Sequence, residues 1–129
     1  NEPKAQAYFE NDYSENPSAS FQLSAFQDIK WEAVELVHTA FTLAFCPKEY
    51  FQQLMQNIKA TIKKNGRFAG NFFGTEHTWN DLLLLSADEV KALFQDFEIE
   101  FFEESRLNKK SAFDEEIFHH NISIVAKKK

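Results

Sequence analysis

The sequence predicts an α/β fold: parallel strands joined by a crossover helix and followed by a C-terminal antiparallel hairpin. Three observations lead there. Val34 to Ala40 is a short apolar run rich in β-branched residues, too brief for a helix, and it reads as a buried strand. From Lys48 the residues Phe51, Leu54, Met55, Ile58 and Ile62 recur at spacings of three and four, which stacks them on one helical face, and Arg67 to Phe73 then resumes as a strand. Phe97 to Glu104 and Ile117 to Ala126 are two more strands, separated by a polar connection, and pair most simply with each other.

In chain order, Pro3 to Asn11 is a helix candidate with Ala5, Tyr8 and Phe9 on one side, ended by the turn-forming cluster NDYSENPS. Phe21 to Ala25 alternates Phe21 and Leu23 against Gln22 and Ser24, a short strand, and FQDIKW forms a loop or one helical turn. After the strand at Val34, Pro47 suits the first turn of the helix, where a missing N–H costs nothing. Lys59, Lys63 and Lys64 gather at its end, favoured there by the helix dipole, and Gly66 is placed as a left-handed stop. A strand, helix and strand of these lengths make a right-handed parallel unit. TEHTWND is turn-like, and Leu82 to Leu85 precede a capping box at Ser86 and Glu89, which starts a helix at Ala87 with Val90, Leu93 and Phe94 inward and Asp96 at its end. Phe97, Ile99 and Phe101 share one face of the next strand, Arg106 to Glu115 form a polar connection, and Ile122, Ile124 and His120 share a face of the last strand.

At 129 residues the chain has the length of one domain, with residues 1–30 supplying the first helix and strand and 31–129 the rest, yet it is short for a complete cofactor-binding α/β enzyme. Aromatic residues, fifteen of them phenylalanine, fill the expected core, and no apolar run nears the roughly 20 residues that span a bilayer, so a soluble protein with no membrane partner is expected. A net charge of -6 argues against a nucleic-acid surface, and Lys127, Lys128 and Lys129 read as a solubilising end. The single cysteine, Cys46, permits no internal disulfide and fits a cytoplasmic location. The start, NEPKAQAYFEN, has neither a secretory pattern nor an initiator methionine, and the chain reads as a fragment or a trimmed product.

These segments also resemble, in order, the second half of a class I S-adenosylmethionine-dependent methyltransferase. VELVHTAFTLAF resembles the fourth strand and following loop, KNGRFAGNFFG the approach to the fifth strand, and LSADEVKALFQDFEIEFFEE the last helix and sixth strand. HHNISIVAKKK is similar to the closing strand, and NFFGTEHTW to the loop after the fifth strand, of tellurite-resistance-type and related small-molecule methyltransferases. The resemblance implies a partial Rossmann-like sheet, a segment of the order 3-2-1-4-5-7-6, with S-adenosylmethionine as cofactor and a small-molecule methyl acceptor. The family's glycine-rich turn after its first strand is missing: Gly66, Gly70 and Gly74 are the only glycines, and none forms it. Without the first two strands, the edge of Val34 to Ala40 is left unpaired, to be covered by the N-terminal segment, by a second copy in a homodimer or by a separate chain.

The resemblance also places candidate residues. Glu2 lies near the acidic position that holds the cofactor ribose, Phe26 where an apolar residue meets the adenine, and His38, Thr39, Ala40 and Phe41 at the end of the fourth strand, facing the cofactor's methionine part or the methyl acceptor. Asn71, Phe73, His77 and Trp79 follow as lining for the acceptor. Phe26 and Phe41 equally suit a core, and His77 is either a general base or an exposed loop residue. His119 and His120 point to opposite faces of a strand and cannot share a metal, Cys46 reads as a buried inert thiol, and Glu98, Glu100, Glu103 and Glu104 read as a solvated face. The expected function is methyl transfer to a small molecule, for which alignment matters more than a catalytic triad. The rival reading is a non-catalytic interaction module built on a degenerate methyltransferase fold.

Overall fold

The computed structural model describes residues 29–79, 81–110 and 115–129. The helix expected at Pro3 to Asn11, the strand at Phe21 to Ala25, and the candidates Glu2 and Phe26 lie outside the described residues. The chain divides into units over residues 1–30 and 31–129, and the described elements belong to the second. They run β1 (Val34–Thr39), a 3-10 turn (Thr42–Phe45), α1 (Lys48–Thr61), β2 (Ile62–Phe73), α2 (Ala87–Leu93), β3 (Phe97–Lys110) and β4 (Glu116–Lys128).

The sheet order is β1-β2-β4-β3. β1 and β2 are parallel, and β4 runs antiparallel to both β2 and β3. This is the expected α/β architecture, and the order matches the 4-5-7-6 portion of the methyltransferase sheet. The hairpin attaches at one side of the parallel pair, as expected. Its second strand, β4, enters between β2 and β3 and is paired on both flanks, which explains its clean alternation of buried His120, Ile122, Ile124 and Ala126 with half-covered neighbours.

Both helices cover the Phe68 face of the sheet. The apolar stripe expected on α1 is buried in full, from Phe51 to Ile58, and so is Ile62. From α2, Val90 is buried, and Phe94 just beyond its end lies tilted against Phe68 with ring centres 4.8 Å apart and meets Phe97 at 5.6 Å. Lys59 Nζ donates to the carbonyl of Leu93 at 2.8 Å, tying α1 to the end of α2, and Lys128 Nζ donates to the Lys59 carbonyl at 2.7 Å. The capping box at Ser86 and Glu89 forms in both directions, at 3.0 and 3.1 Å.

Three expectations are corrected. The helix stops at Thr61 without a glycine: Ile62 is already extended, Lys63 and Lys64 belong to β2, and the left-handed residue is Asn65, at φ 68°. Between the pairs Val34 with Ile62 and Leu36 with Arg67, the added residues of β2 bulge out, and asparagine tolerates the left-handed turn this needs. Gly66 serves the bulge by its size, since a Cβ there would lie 2.7 Å from the Glu35 carbonyl oxygen. β1 ends at Thr39 and is not a buried strand: Leu36 is 57% exposed, because among the described residues β1 has a neighbour on one side only and the helices cover the other face of the sheet. Finally, β3 continues through Lys110 rather than ending near Glu104, since the polar stretch from Arg106 pairs with β4 as an edge strand that tolerates polar side chains.

Candidate active site

The parallel strands β1 and β2 deliver their C-terminal ends side by side, with Thr39 opposite Gly70. Beyond β1 the chain turns through Phe41 in the left-handed region, at φ 60°. That conformation costs a non-glycine residue on the order of 1–3 kcal/mol, and residues so held concentrate at functional sites. The Phe41 ring stacks on Phe73 at 4.9 Å, and Phe73 in turn stacks on His77 at 4.0 Å. Trp79 stands edge-on to both Phe73, at 6.2 Å, and His77, at 5.4 Å, and His119 from β4 stands edge-on to His77 at 5.4 Å. Phe73 and His77 are buried, while Trp79 is 41% exposed and forms the outer wall.

A single bonding pattern holds the loop that carries His77 and Trp79. Gly74 N–H donates to the His120 carbonyl at 2.6 Å, Glu76 N–H to His120 Nδ1 at 3.1 Å, and Thr78 N–H to the Phe118 carbonyl at 3.1 Å. In return, His120 N–H donates to His77 Nδ1 at 3.3 Å and Phe118 N–H to Thr78 Oγ1 at 2.7 Å. With Nδ1 accepting, neutral His77 carries its proton on Nε2, and that atom has no hydrogen-bond partner. Burial, reinforced by His119 and His120, lowers the His77 pKa from its ordinary 6.5 and keeps the ring uncharged. Thr39 Oγ1, at the end of β1, is likewise buried and unpartnered. Two unsatisfied polar atoms beside an aromatic column are what a binding site presents before a ligand completes it.

Behind this loop lies a charged network. His120 Nε2 is 2.6 Å from Glu104 Oε2 on β3, and Arg106 Nε donates to Glu76 Oε2 at 2.6 Å and Nη2 to Glu104 at 3.4 Å. The bond from His120 holds the Glu104 carboxylate below its usual pKa, with Arg106 and Lys91 adding to the effect.

The structure brings together Phe41, Phe73, His77 and Trp79, with His38, Thr39 and Ala40 at the adjoining strand end. Asn71 lies two residues before Phe73 and is bonded to Ser123 Oγ at 2.6 Å. His77 is buried, not an exposed loop residue. The acidic run is not merely solvated: Glu100 pairs with Arg67 at 2.5 Å, and Glu104 with His120. Cys46 is buried, and burial with nearby Glu49 pushes its thiol pKa up, as an inert thiol requires. Sequence reasoning missed the pairing of His120 with Glu104. The alternation placing His120 in line with Ile122 was readable, but its partner depends on the β3 register, which shifts between Ile99 and Phe101. Among the described residues, no group of three or more His, Cys, Asp and Glu could hold a metal ion.

No protein-family model and no curated protein sequence matches the chain. Solved structures do match. TehB from Haemophilus influenzae superposes with a TM-score of 0.81 at 16% identity, over 99% of this chain and 48% of that one. The N-methyltransferase NodS from Bradyrhizobium japonicum, in complex with S-adenosylhomocysteine, gives 0.71 at 11% identity over 98% and 63%. The Burkholderia thailandensis 1,6-didemethyltoxoflavin-N1-methyltransferase, with its acceptor and S-adenosylhomocysteine bound, gives 0.70 at 15% identity over 99% and 58%. The chain thus has a fold shared with S-adenosylmethionine-dependent methyltransferases and spans between about half and three-fifths of the length of these three.

Proposed function

We propose that this chain takes part in S-adenosylmethionine-dependent methyl transfer to a small molecule and supplies the acceptor side of the site. The observation that carries the reading is the aromatic column at the C-terminal ends of β1 and β2, flanked by the unpartnered Thr39 Oγ1 and His77 Nε2. Ligands of open α/β sheets bind at such strand ends, and the fold is one in which solved neighbours hold S-adenosylhomocysteine.

The residues present fit one flank of the cofactor. Thr39 Oγ1 offers a free polar contact and the Phe41 backbone makes a tight left-handed turn, at φ 60°, beside it. The described glycines are occupied elsewhere, Gly66 against the Glu35 carbonyl, Gly70 against Thr39 and Phe68, and Gly74 under the His120 ring. None is free to let backbone approach a ligand. Residues 38–41 would therefore meet the reacting end, while the ribose and amino-acid ends need groups outside the described residues. When bound, the cofactor supplies an already activated methyl on a sulfonium, so the protein's part is alignment and exclusion of water.

For that task, the exposed Trp79 offers an apolar wall to an acceptor, with Phe73 buried behind it, and His77 offers a neutral N–H. His77 orients in this state; it cannot take a proton at Nδ1 without breaking its bond from His120 N–H. The test is NMR titration of the chain with S-adenosylhomocysteine. Shifts confined to residues 38–41 and 73–79 are expected, and their absence at millimolar ligand, or a map centred elsewhere, would sink the reading.

A second reading, association through a sheet edge, has its own support. Leu36 on β1 and Phe101 and Leu107 on β3 are 57%, 48% and 49% exposed on strands that form the two edges of the described sheet. Sedimentation equilibrium of the chain and of Leu36→Lys decides it: a dimer abolished by the substitution supports a homodimer through β1.

A further inference from the structure

We infer that His120, oriented by Glu104, is a positioning residue that clamps the 74–79 loop to β4 and so sets His77 and Trp79 in the site. The inference rests on the reading of those two residues as acceptor lining. His120 takes part in three of the six hydrogen bonds between loop and strand, with its backbone N–H, its carbonyl and its ring, and it bonds three different loop residues, Gly74, Glu76 and His77. The other three all join Thr78 to Phe118. Its side chain is packed under Gly74, where a Cβ would collide with the ring.

An acidic residue bonded to a histidine is the usual support of a catalytic base, and the geometry here excludes that role. Glu104 takes Nε2, the Glu76 amide fills Nδ1, and the residue is 1% exposed, so neither ring nitrogen is open to a substrate. The same bonds fix the tautomer. Nδ1 must be bare to accept the Glu76 amide, so the proton sits on Nε2 and is donated to the Glu104 carboxylate.

The inference is tested on the full chain by NMR, with no need for turnover. At pH 8 the His120 ring should show a proton on Nε2 and none on Nδ1. In His120→Leu, exchange of the Glu76 and Thr78 amides, corrected for intrinsic rates, should accelerate about tenfold, the worth of one hydrogen bond, while the Phe68 and Phe72 amides keep their protection. His120→Asn, whose side-chain oxygen can replace Nδ1, should restore the protection of the loop. A proton on Nδ1 at pH 8 in the unaltered chain, or loop amides as protected in folded His120→Leu as in the parent, overturns the clamp, and the first readout needs no variant. S-adenosylhomocysteine shifts at residues 38–41 test the methyltransferase reading separately, so either can fail alone.

Discussion

Gly74 and His120 are locked face to face: the amide of one donates to the carbonyl of the other at 2.6 Å, and the imidazole fills the space where a side chain at position 74 would begin. Gly74→Ala must push the ring off Glu104 or push the loop off β4. Overpacking of this kind costs about 1–3 kcal/mol. Thermal unfolding should show a lowered midpoint, and the NMR signals of Glu76 to Trp79 should move more than those of α1. An alanine variant as stable as the parent would show that the ring has room to retreat.

Acid should weaken the fold in two stages. The lowered pKa of His77 means that the unfolded chain binds its proton first, so the stability it contributes is present above 6.5 and is lost as the pH falls below that value. Glu104, also lowered, contributes above 4.5 and loses that contribution further down. Urea midpoints measured from pH 8 to pH 4 should fall along both stages. His77→Phe should flatten the upper one and Glu104→Gln the lower.

Phe68→Ala should be among the most damaging single changes. The residue is fully buried at the contact between the sheet and the end of α2, its ring tilted against that of Phe94 at 4.8 Å. Phenylalanine truncations at such positions cost about 3–5 kcal/mol. Chemical denaturation measures this directly, and a loss below about 1 kcal/mol would mean that Phe94 and Phe72 close over the space.

Ser86→Ala removes an oxygen that accepts the Glu89 amide at 3.1 Å and ends the reciprocal cap of α2. The expected loss is about 1 kcal/mol. Because α2 is only 7 residues long, the change should also loosen the packing of Phe94, visible as altered Phe68 and Phe94 ring signals. An unchanged urea midpoint would show that packing alone holds the helix.

Local signals made much of this legible in the sequence. The spacing of Phe51, Leu54, Met55 and Ile58, and the serine and glutamate that cap α2, are short-range patterns, and the structure honours them. What failed was the end of α1, because whether Gly66 stops a helix or makes room for a bulge depends on Glu35, on another strand. The site divides in the same way. Residues 38–41 and Asn71, Phe73, His77 and Trp79 were placed by resemblance and by their position after strands, and of these the structure sets Phe41, Phe73, His77 and Trp79 against one another. His120 and Glu104 were not paired, because a two-strand register with a bulge near Glu100 decides which glutamate faces the ring. The burial of Leu36 was misjudged because a run of apolar residues says nothing about how many neighbours a strand will have.

The central place of β4 has a bearing on how the sheet is made. It is the last described element in sequence, yet β2 and β3 each pair with it and not with each other in the sheet. Before residues 116–128 leave the ribosome, the parallel pair and the acidic edge strand lack the strand that hydrogen-bonds to both, so closure waits on β4 and pairs segments as distant as Arg67 and Lys127. Long-range pairings of that sort fold slowly, and a nascent chain of this kind would expose its phenylalanine-rich strands until β4 slid into the gap.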